Sequence, residues 1–397
     1  MRTVLVSGAG IAGTALACLL RRQGFAPTVV ERAPGPRPGG QAVDARGVAL
    51  DVLARMGLLD RARAARTRMR GMSVLDAEGR EIERSTEVAY SSGRLDSEDI
   101  ELLREDLVGM LHARAREHAE FVYGDGVTAL DEDEHGVRVT FEHGRPRTFD
   151  LVVGADGLHS AVRAAAFGPE ERFVRHLGSC VTVFSSENFL GLEDWQLWLG
   201  DGASGYCVYP VRDNTELRVT FGFPGEPPRH SHRDIERHRR LVAERMAALP
   251  WQETPRLIEA MRRAPDFFFD ATAQVHMDRW SRGRTVLLGD AGYCASLLSG
   301  QGTSLALVGA WVLADALGRS AGDHRAAFAR YETRLRPFVT LNQALATENP
   351  GGPAPESSVE LAKNAIALDE DEDGDEVRER VGGGTAPRVV GTSAAAR

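Results

Sequence analysis

The chain has 397 residues, 43% of them hydrophobic and 26% charged, which excludes a single small module and wholesale disorder. Its 48 basic residues stand against 57 acidic ones, and a formal net charge of −9 argues against a nucleic-acid partner. Cys18, Cys180, Cys207 and Cys294 form no CxxC pair or metal-ligand spacing, and no run approaches the length of an apolar span. A cytoplasmic protein without metal, disulfide or membrane contact is therefore expected.

Thr3 to Ser7 is a short β-branched run ending at glycine, Ile11 to Gln23 has helical apolar spacing, and Pro27 to Val30 reads as a second strand. This βαβ unit predicts buried parallel strands and a doubly wound α/β start. A Pro/Gly-rich loop follows Glu31, then helical patterning from Val48 to Met56 and from Leu58 onward. Short strands are predicted at 73–75, 80–83, 122–123, 137–142 and 147–153, around a helix at 102–117. From Cys180 to Phe223 the pattern changes to alternation, with Leu217, Val219, Phe221 and Phe223 on one side, which predicts an antiparallel sheet in a second domain. Arg284 to Gly289 returns to a buried strand, Ser304 to Leu317 is an apolar helix, and a helix from Asp323 runs into Pro337. Beyond Asn349 the Pro/Gly/Ala-rich composition and the run DEDEDGDE read as a largely disordered tail over 349–397, which includes the sole lysine, Lys363.

Gly8, Gly10 and Gly13 form GxGxxG directly after a strand and before a helix, where backbone N–H groups can approach a pyrophosphate at the positive end of the helix dipole. Glu31 lies 18 residues after Gly13, at the end of the next strand, placed to accept hydrogen bonds from a ribose diol. These residues alone leave FAD and NAD open, and Arg32 either pairs with an adenine-side phosphate or is solvated. Two further acids end predicted strands: Asp156 in GADGLHSAVR and Asp290 in GRTVLLGDA. Ligands of an open parallel sheet bind outside its carboxyl ends, so Glu31, Asp156 and Asp290 are expected on one edge.

GAGIAG with VVER, GADGLHSAVR, GRTVLLGDA followed by GQG, the loop GGQAVD and LLREDL together resemble the FAD-dependent aromatic hydroxylases of the p-hydroxybenzoate hydroxylase fold, nearest the tetracycline-inactivating monooxygenases, over about residues 1 to 345. The resemblance implies an α/β fold. A Rossmann-like FAD-binding domain would span 1–175 and 275–348, with inserted loops and strands near 65–100. An antiparallel-sheet substrate domain would occupy 176–274, with C-terminal helices after it. It also implies that Glu31 holds the adenosine ribose, Arg104 reaches the FAD phosphate or ribityl region and Asp290 bonds a ribityl hydroxyl. Asp156 would bridge the flavin and nicotinamide regions, Asp44 would lie in the flavin-approaching loop, and Arg37 near an NADPH phosphate. Gly302 and Thr303 would open a helix whose N–H groups face the flavin. The implied reaction is hydroxylation by FAD with NADPH or NADH and O2, through a C4a-hydroperoxyflavin.

The implied substrate is a small aromatic or polyketide-like molecule, with Trp198, Tyr206 and Phe221 as candidate walls, although aromatics alternating along strands are more often core residues. Arg212 and Arg218 could hold a substrate oxygen, but most sheet arginines are solvated. No residue is identified as the catalytic base, and a monomer or homodimer is expected. Where the resembled family reads GDAAH and then proline, this chain has Tyr293 and Leu297, which puts the shape of that turn in question. Alternatives are a flavin-dependent dehydrogenase or epoxidase, and a noncatalytic flavin- or small-molecule-binding protein.

Overall fold

The computed structural model describes residues 2–226, 234–349 and 352–369. A six-stranded sheet runs in the order Ser281–Arg282, Thr285–Leu287, Leu151–Gly154, Thr3–Ser7, Ala26–Glu31, Glu120–Tyr123. All its pairs are parallel except the first. Val4, Leu5, Val6, Val152 and Val153 are fully buried, as central strands covered on both faces require. The helix Ile11–Arg22 packs beside Gly302–Arg319, and both begin at the carboxyl edge of the sheet.

The predicted strand 147–153 divides at Asp150, whose carboxylate accepts from Thr3 N and Oγ1 at 2.7 and 2.9 Å. Arg147–Phe149 joins a three-stranded antiparallel sheet, and Leu151–Gly154 enters the parallel one.

A seven-stranded sheet has the order Phe268–Val275, Val174–Glu187, Glu216–Pro224, Gly205–Val211, Trp195–Gly200, Gly71–Leu75, Glu81–Ser85. The strands near 65–100 were expected within the dinucleotide-binding part; instead Gly71–Leu75 pairs in parallel with Trp195–Gly200 and extends the second sheet. The Trp195 indole donates to Ser73 Oγ at 2.9 Å, and a Cβ at Gly71 would stand 2.5 Å from its ring, so only glycine admits this approach. One face carries Phe184, Tyr206, Phe221 and Phe223 against the helices Ile235–Met246 and Thr254–Arg263. The other face meets the loop after the second strand: Ala42 N donates to the Tyr209 hydroxyl at 2.8 Å and Arg218 Nε to Gly40 O at 3.2 Å.

The helix His324–Glu348 continues through Pro337, which is exposed. The expected disordered tail is corrected over residues 352–369. The helix Glu356–Lys363 docks on the body through Asn342 Nδ2, which donates to Ala362 O at 2.9 Å, and Ile366 and Leu368 are buried. Composition averaged over the whole stretch conceals this short amphipathic segment. The remainder of the expected tail lies outside the described residues. Among the described residues no helix is long and apolar enough to cross a membrane, and no group of three His, Cys, Asp or Glu is arranged to hold a metal.

Lys363 Nζ lies 2.8 Å from Asp99 Oδ2, both side chains being nearly buried, while Gly47 N donates to Asp99 Oδ1 at 3.0 Å. Removing one partner of such a pair strands the other charge. Lys363→Met is therefore expected to lose about 3 kcal/mol in denaturant unfolding, and adding Asp99→Asn should restore part of that loss.

Candidate active site

The first glycine of the N-terminal turn has φ +106°, and a Cβ there would stand 2.4 Å from Ala155 O. A Cβ at Gly13 would stand 2.0 Å from Gly8 O, so the third glycine lets the helix pack onto the turn. Gly10 differs: nothing lies within 4 Å of its Cβ position. The helix it begins has no side-chain cap and no acidic residue in its first turn. Glu31, at the end of the second strand, accepts from Ala9 N at 2.9 Å and Ala33 N at 2.8 Å, which fixes its carboxylate beside this turn. Arg32 is exposed, and the Arg37 guanidinium is 3.9 Å from Glu31.

Asp156 and Asp290 stand on the same edge. The Ser160 hydroxyl donates to Asp156 Oδ1 at 2.5 Å and Val162 N to Oδ2 at 3.1 Å, so Asp156 helps cap the helix Ala161–Phe167 as well as lining the edge. Burial pushes its pKa above the ordinary carboxylate range, against the pull of these donors. Asp290 begins the short helix Asp290–Tyr293 after Gly289, whose φ is +63° and whose Cβ position is 3.0 Å from the Ala12 methyl. Its residue surface is exposed, yet loss of hydration around the carboxyl raises its pKa, with a hydrogen bond from Cys294 and the charge of Arg104 opposing.

Arg104 opens the helix Arg104–Ala115, its N–H bonded to Gln41 O at 3.2 Å. Loss of hydration and the charge of Arg37 lower its pKa, while Glu31 and Asp290 raise it. One guanidinium thus lies within the fields of both edge carboxylates, with no ion-pair partner among the described residues.

The expectation of Asp44 in a loop is refined: it lies on the short strand Ala42–Ala45, directly opposite Glu101. Burial raises its pKa to about 7, opposed by Arg46, whose Nη2 donates to Asp44 Oδ2 at 3.0 Å. Arg46 N donates to Ser304 Oγ at 3.0 Å and ties this strand to the start of Gly302–Arg319. That helix also lacks a side-chain cap and a first-turn acid, and the Cβ position of Gly302 is open. The preceding Gln301 is fully buried with both amide atoms unpartnered. Arg46, Gln301 and Ser304 escaped the sequence reading; only the charged triplet Asp44-Ala45-Arg46 hinted at the first.

The candidate walls separate. Trp198 is half-buried on the cleft-side face, near Ala42 and Leu103. Tyr206 and Phe221, 1% and 0% exposed, point the other way into the sheet–helix core with Trp251, which corrects their expected contact with substrate. The period-two pattern groups them correctly but does not say which face meets the cleft. Arg218 is fully buried and bonded to Glu105, Glu216 and Gly40 O, and Arg212 pairs with Glu105 and Asp106, so both brace the domain contact and are not free for a ligand oxygen.

Tyr293 also turns away from the cleft. Its hydroxyl lies 3.0 Å from that of Tyr331, and a Cβ at Gly309 would stand 2.2 Å from it. Leu297, where the resembled family has proline, starts a 3-10 turn after Ser296, whose φ is +74°.

Two uncapped helix N-termini, a fixed carboxylate, an unpaired arginine and an orphaned amide on one sheet edge suit a large ligand carrying a diphosphate, a ribose diol and a polar ring edge. Residues 1–344 match the family model described as the FAD binding domain. The chain belongs to this family of flavin-dependent monooxygenases. It is 39% identical over 343 residues to a flavin-dependent monooxygenase from an unknown prokaryotic organism, covering 86% of this chain and 88% of that one. An uncharacterized protein of Mycobacterium tuberculosis is 48% identical over 370 residues, covering 93% and 99%. The crystal structure of tetracycline destructase Tet(51) superposes with a TM-score of 0.83 at 33% identity, covering 93% of this chain and 99% of that one.

The open space at Gly10 separates ligand contact from folding. Gly10→Ala is expected to leave the unfolding midpoint of the FAD-free protein nearly unchanged and to weaken FAD binding at least about tenfold, or 1.4 kcal/mol, in a fluorescence titration. Gly13→Ala should instead lower the midpoint itself. Asp44 gives a pH prediction. Because its folded pKa is raised from 3.8 to about 7, folding takes up a proton between these values and stability falls as pH rises across that window. Asp44→Asn should flatten that slope in urea unfolding of the FAD-free protein.

Proposed function

We propose that this enzyme hydroxylates a small aromatic or polyketide-like molecule, using FAD bound along the sheet edge, NADPH or NADH as reductant and O2 as cosubstrate. The observation that carries the reading is the convergence of the N-termini of Ile11–Arg22 and Gly302–Arg319 on a cleft roofed by the second sheet. In this reading the discontinuous unit 1–175 and 275–348 holds FAD and the sheet of 176–274, extended by residues 71–85, covers the substrate.

FAD, when bound, supplies hydride acceptance and oxygen activation. The chain supplies its placement. Amides from Gly8 to Gly13 take the diphosphate, Glu31 the ribose hydroxyls, and Arg104 a phosphate or ribityl oxygen, with Arg32 beside the adenine end. Asp290 would accept from a ribityl hydroxyl, and Asp156 holds the turn that abuts Gly8. The N–H groups at Gly302 and Thr303 would take the pyrimidine edge of the flavin, where the uncapped helix start would favour negative charge. Asp44, its pKa raised to about 7 by burial, shares Arg46 with the start of that helix, so its proton occupancy bears on the same charge. Trp198 and the inner sheet face exclude water from the substrate side. Exposed Arg37, beside Glu31, is the arginine assigned to a nicotinamide-cofactor phosphate. Tetracycline destructases share the fold at 33% identity, and fused-ring phenolic substrates head the panel for this chain.

The test is the visible spectrum of the FAD-loaded protein, followed anaerobically with NADPH or NADH and an aromatic polyketide panel, then with air and mass spectrometry. Faster bleaching with one compound, and its gain of one oxygen atom, is the expected result. Bound flavin that neither nicotinamide reduces would overturn the enzymatic reading.

A further inference from the structure

A second concavity, of about 640 Å³, lies on the far side of the Asp290–Tyr293 turn, between the end of the strand Phe268–Val275 and the helix His324–Glu348. Arg172, Arg175, Arg336 and His276 line it, and Asp278 is its single carboxylate. In a chain with net charge −9 this is a local reversal of sign.

The three arginines are not equivalent. Arg336 is spent on structure: it stacks over Trp280 at 4.3 Å and donates to Met277 O, Asp278 O and Glu332 at 3.0 to 3.2 Å. Arg172 packs over the Phe173 ring at 5.3 Å and donates to Phe167 O at 3.3 Å. Arg175 reaches only backbone carbonyls, at 3.4 and 3.5 Å. Among the described residues neither Arg172 nor Arg175 forms an ion pair, so most of their N–H donors remain for a ligand. Burial, and after it the charge of Arg175, lower the pKa of His276, whose Nε2 is 2.9 Å from Gln274 Oε1.

The opposite wall is fixed. Gln343 Nε2 donates to Val275 O at 2.8 Å and Cys294 O at 3.1 Å, and Gln274 Nε2 to Gln343 O at 2.7 Å and Ala295 O at 3.2 Å. Val339 and Ala344 add apolar surface. The volume falls in the range of small-molecule sites, and two unpaired guanidinium forks beside an apolar wall match an oxyanion attached to a compact organic body.

We propose that this concavity is a second binding site, for a small organic oxyanion, a carboxylate or phosphate monoester, distinct from the cleft at the sheet edge. Its back wall is the turn that carries Asp290, so an occupant bears on the cofactor cleft from behind. The assignment does not depend on the reaction proposed above, because none of its residues has been given a role there.

The test is isothermal titration of the FAD-loaded full chain with two probes, benzoate and phenyl phosphate, at low and high salt. Saturable binding of at least one probe, weakened by salt and at least tenfold weaker in Arg172→Gln/Arg175→Gln with the flavin spectrum unchanged, is the expected result. Preference for benzoate assigns a carboxylate and preference for phenyl phosphate a phosphate ester. Ala344→Trp, which fills the concavity from an exposed helix position, should abolish the same signal. Absence of binding to the wild-type chain, or binding that survives both variants, overturns the proposal.

Discussion

Everything at the sheet edge depends on one backbone crossing. The turn at Gly8 meets the chain leaving Leu151–Gly154 so closely that no side chain fits between Gly8 and Ala155. Ala155 N donates to Ser7 O at 2.8 Å and Gly8 N to Val30 O at 2.7 Å, so three strand ends are stitched together where the turn begins. Leu288 N, donating to Gly154 O at 2.8 Å, adds the fourth. Glu31 ends its strand, Asp156 follows its strand by two residues and Asp290 by three, and their convergence is a result of this stitching. Because the contact is main chain to main chain, it tolerates variation of neighbouring side chains but not a β-carbon at its centre.

The electrostatics of the edge follow from the same enclosure. Asp44, Asp156 and Asp290 are each driven above the usual carboxylate range by loss of hydration, and each has a cation or donor opposing the shift. Two helix N-termini supply positive potential without mobile side chains. Alongside, the His159 ring lies between Glu170 at 2.9 Å and Asp270 at 3.1 Å, which raises its pKa to about 9. Asp270 belongs to the second sheet and His159 to the loop after Asp156, so a charged histidine bridges the two sheets at neutral pH. With Arg218 and Tyr209 gripping residues 40–42, the second sheet is attached to the dinucleotide-binding part at a second place.

The sequence was legible where function is written in local spacing. Gly8, Gly10, Gly13 and Glu31 announce their turn because strand, glycines, helix and acid fall within one short segment. The acids at 156 and 290 follow apolar strands that could hardly be anything else. Nonlocal pairing was not legible: nothing in residues 71–85 indicates that they join a strand more than a hundred positions later, since parallel partners share no turn. Nor does alternation reveal orientation, which is why Trp198, on one face of the sheet, and Tyr206 and Phe221, in the sheet–helix core on the other, are grouped together by pattern alone. Lys363 was hidden by its neighbours; a Gly-rich acidic stretch lowered the average around a helix that buries its one lysine against Asp99.

The replacements at Tyr293 and Leu297 show how one constraint can substitute for another. A proline would hold the turn after Asp290 through its own restricted dihedral angle. Here the hold comes from behind: the Tyr293 ring lies against Trp280, with centroids 4.6 Å apart, and its hydroxyl meets Tyr331, whose own hydroxyl donates to Leu287 O at 3.0 Å. Gly309 provides the space, since any side chain there would collide with the tyrosine hydroxyl. The turn is thus pinned to the strand Thr285–Leu287 and to two C-terminal helices, and Asp290 keeps its place without a stiffened loop ahead of it. Leu297 and Leu298, 44% and 50% exposed, are released from that duty.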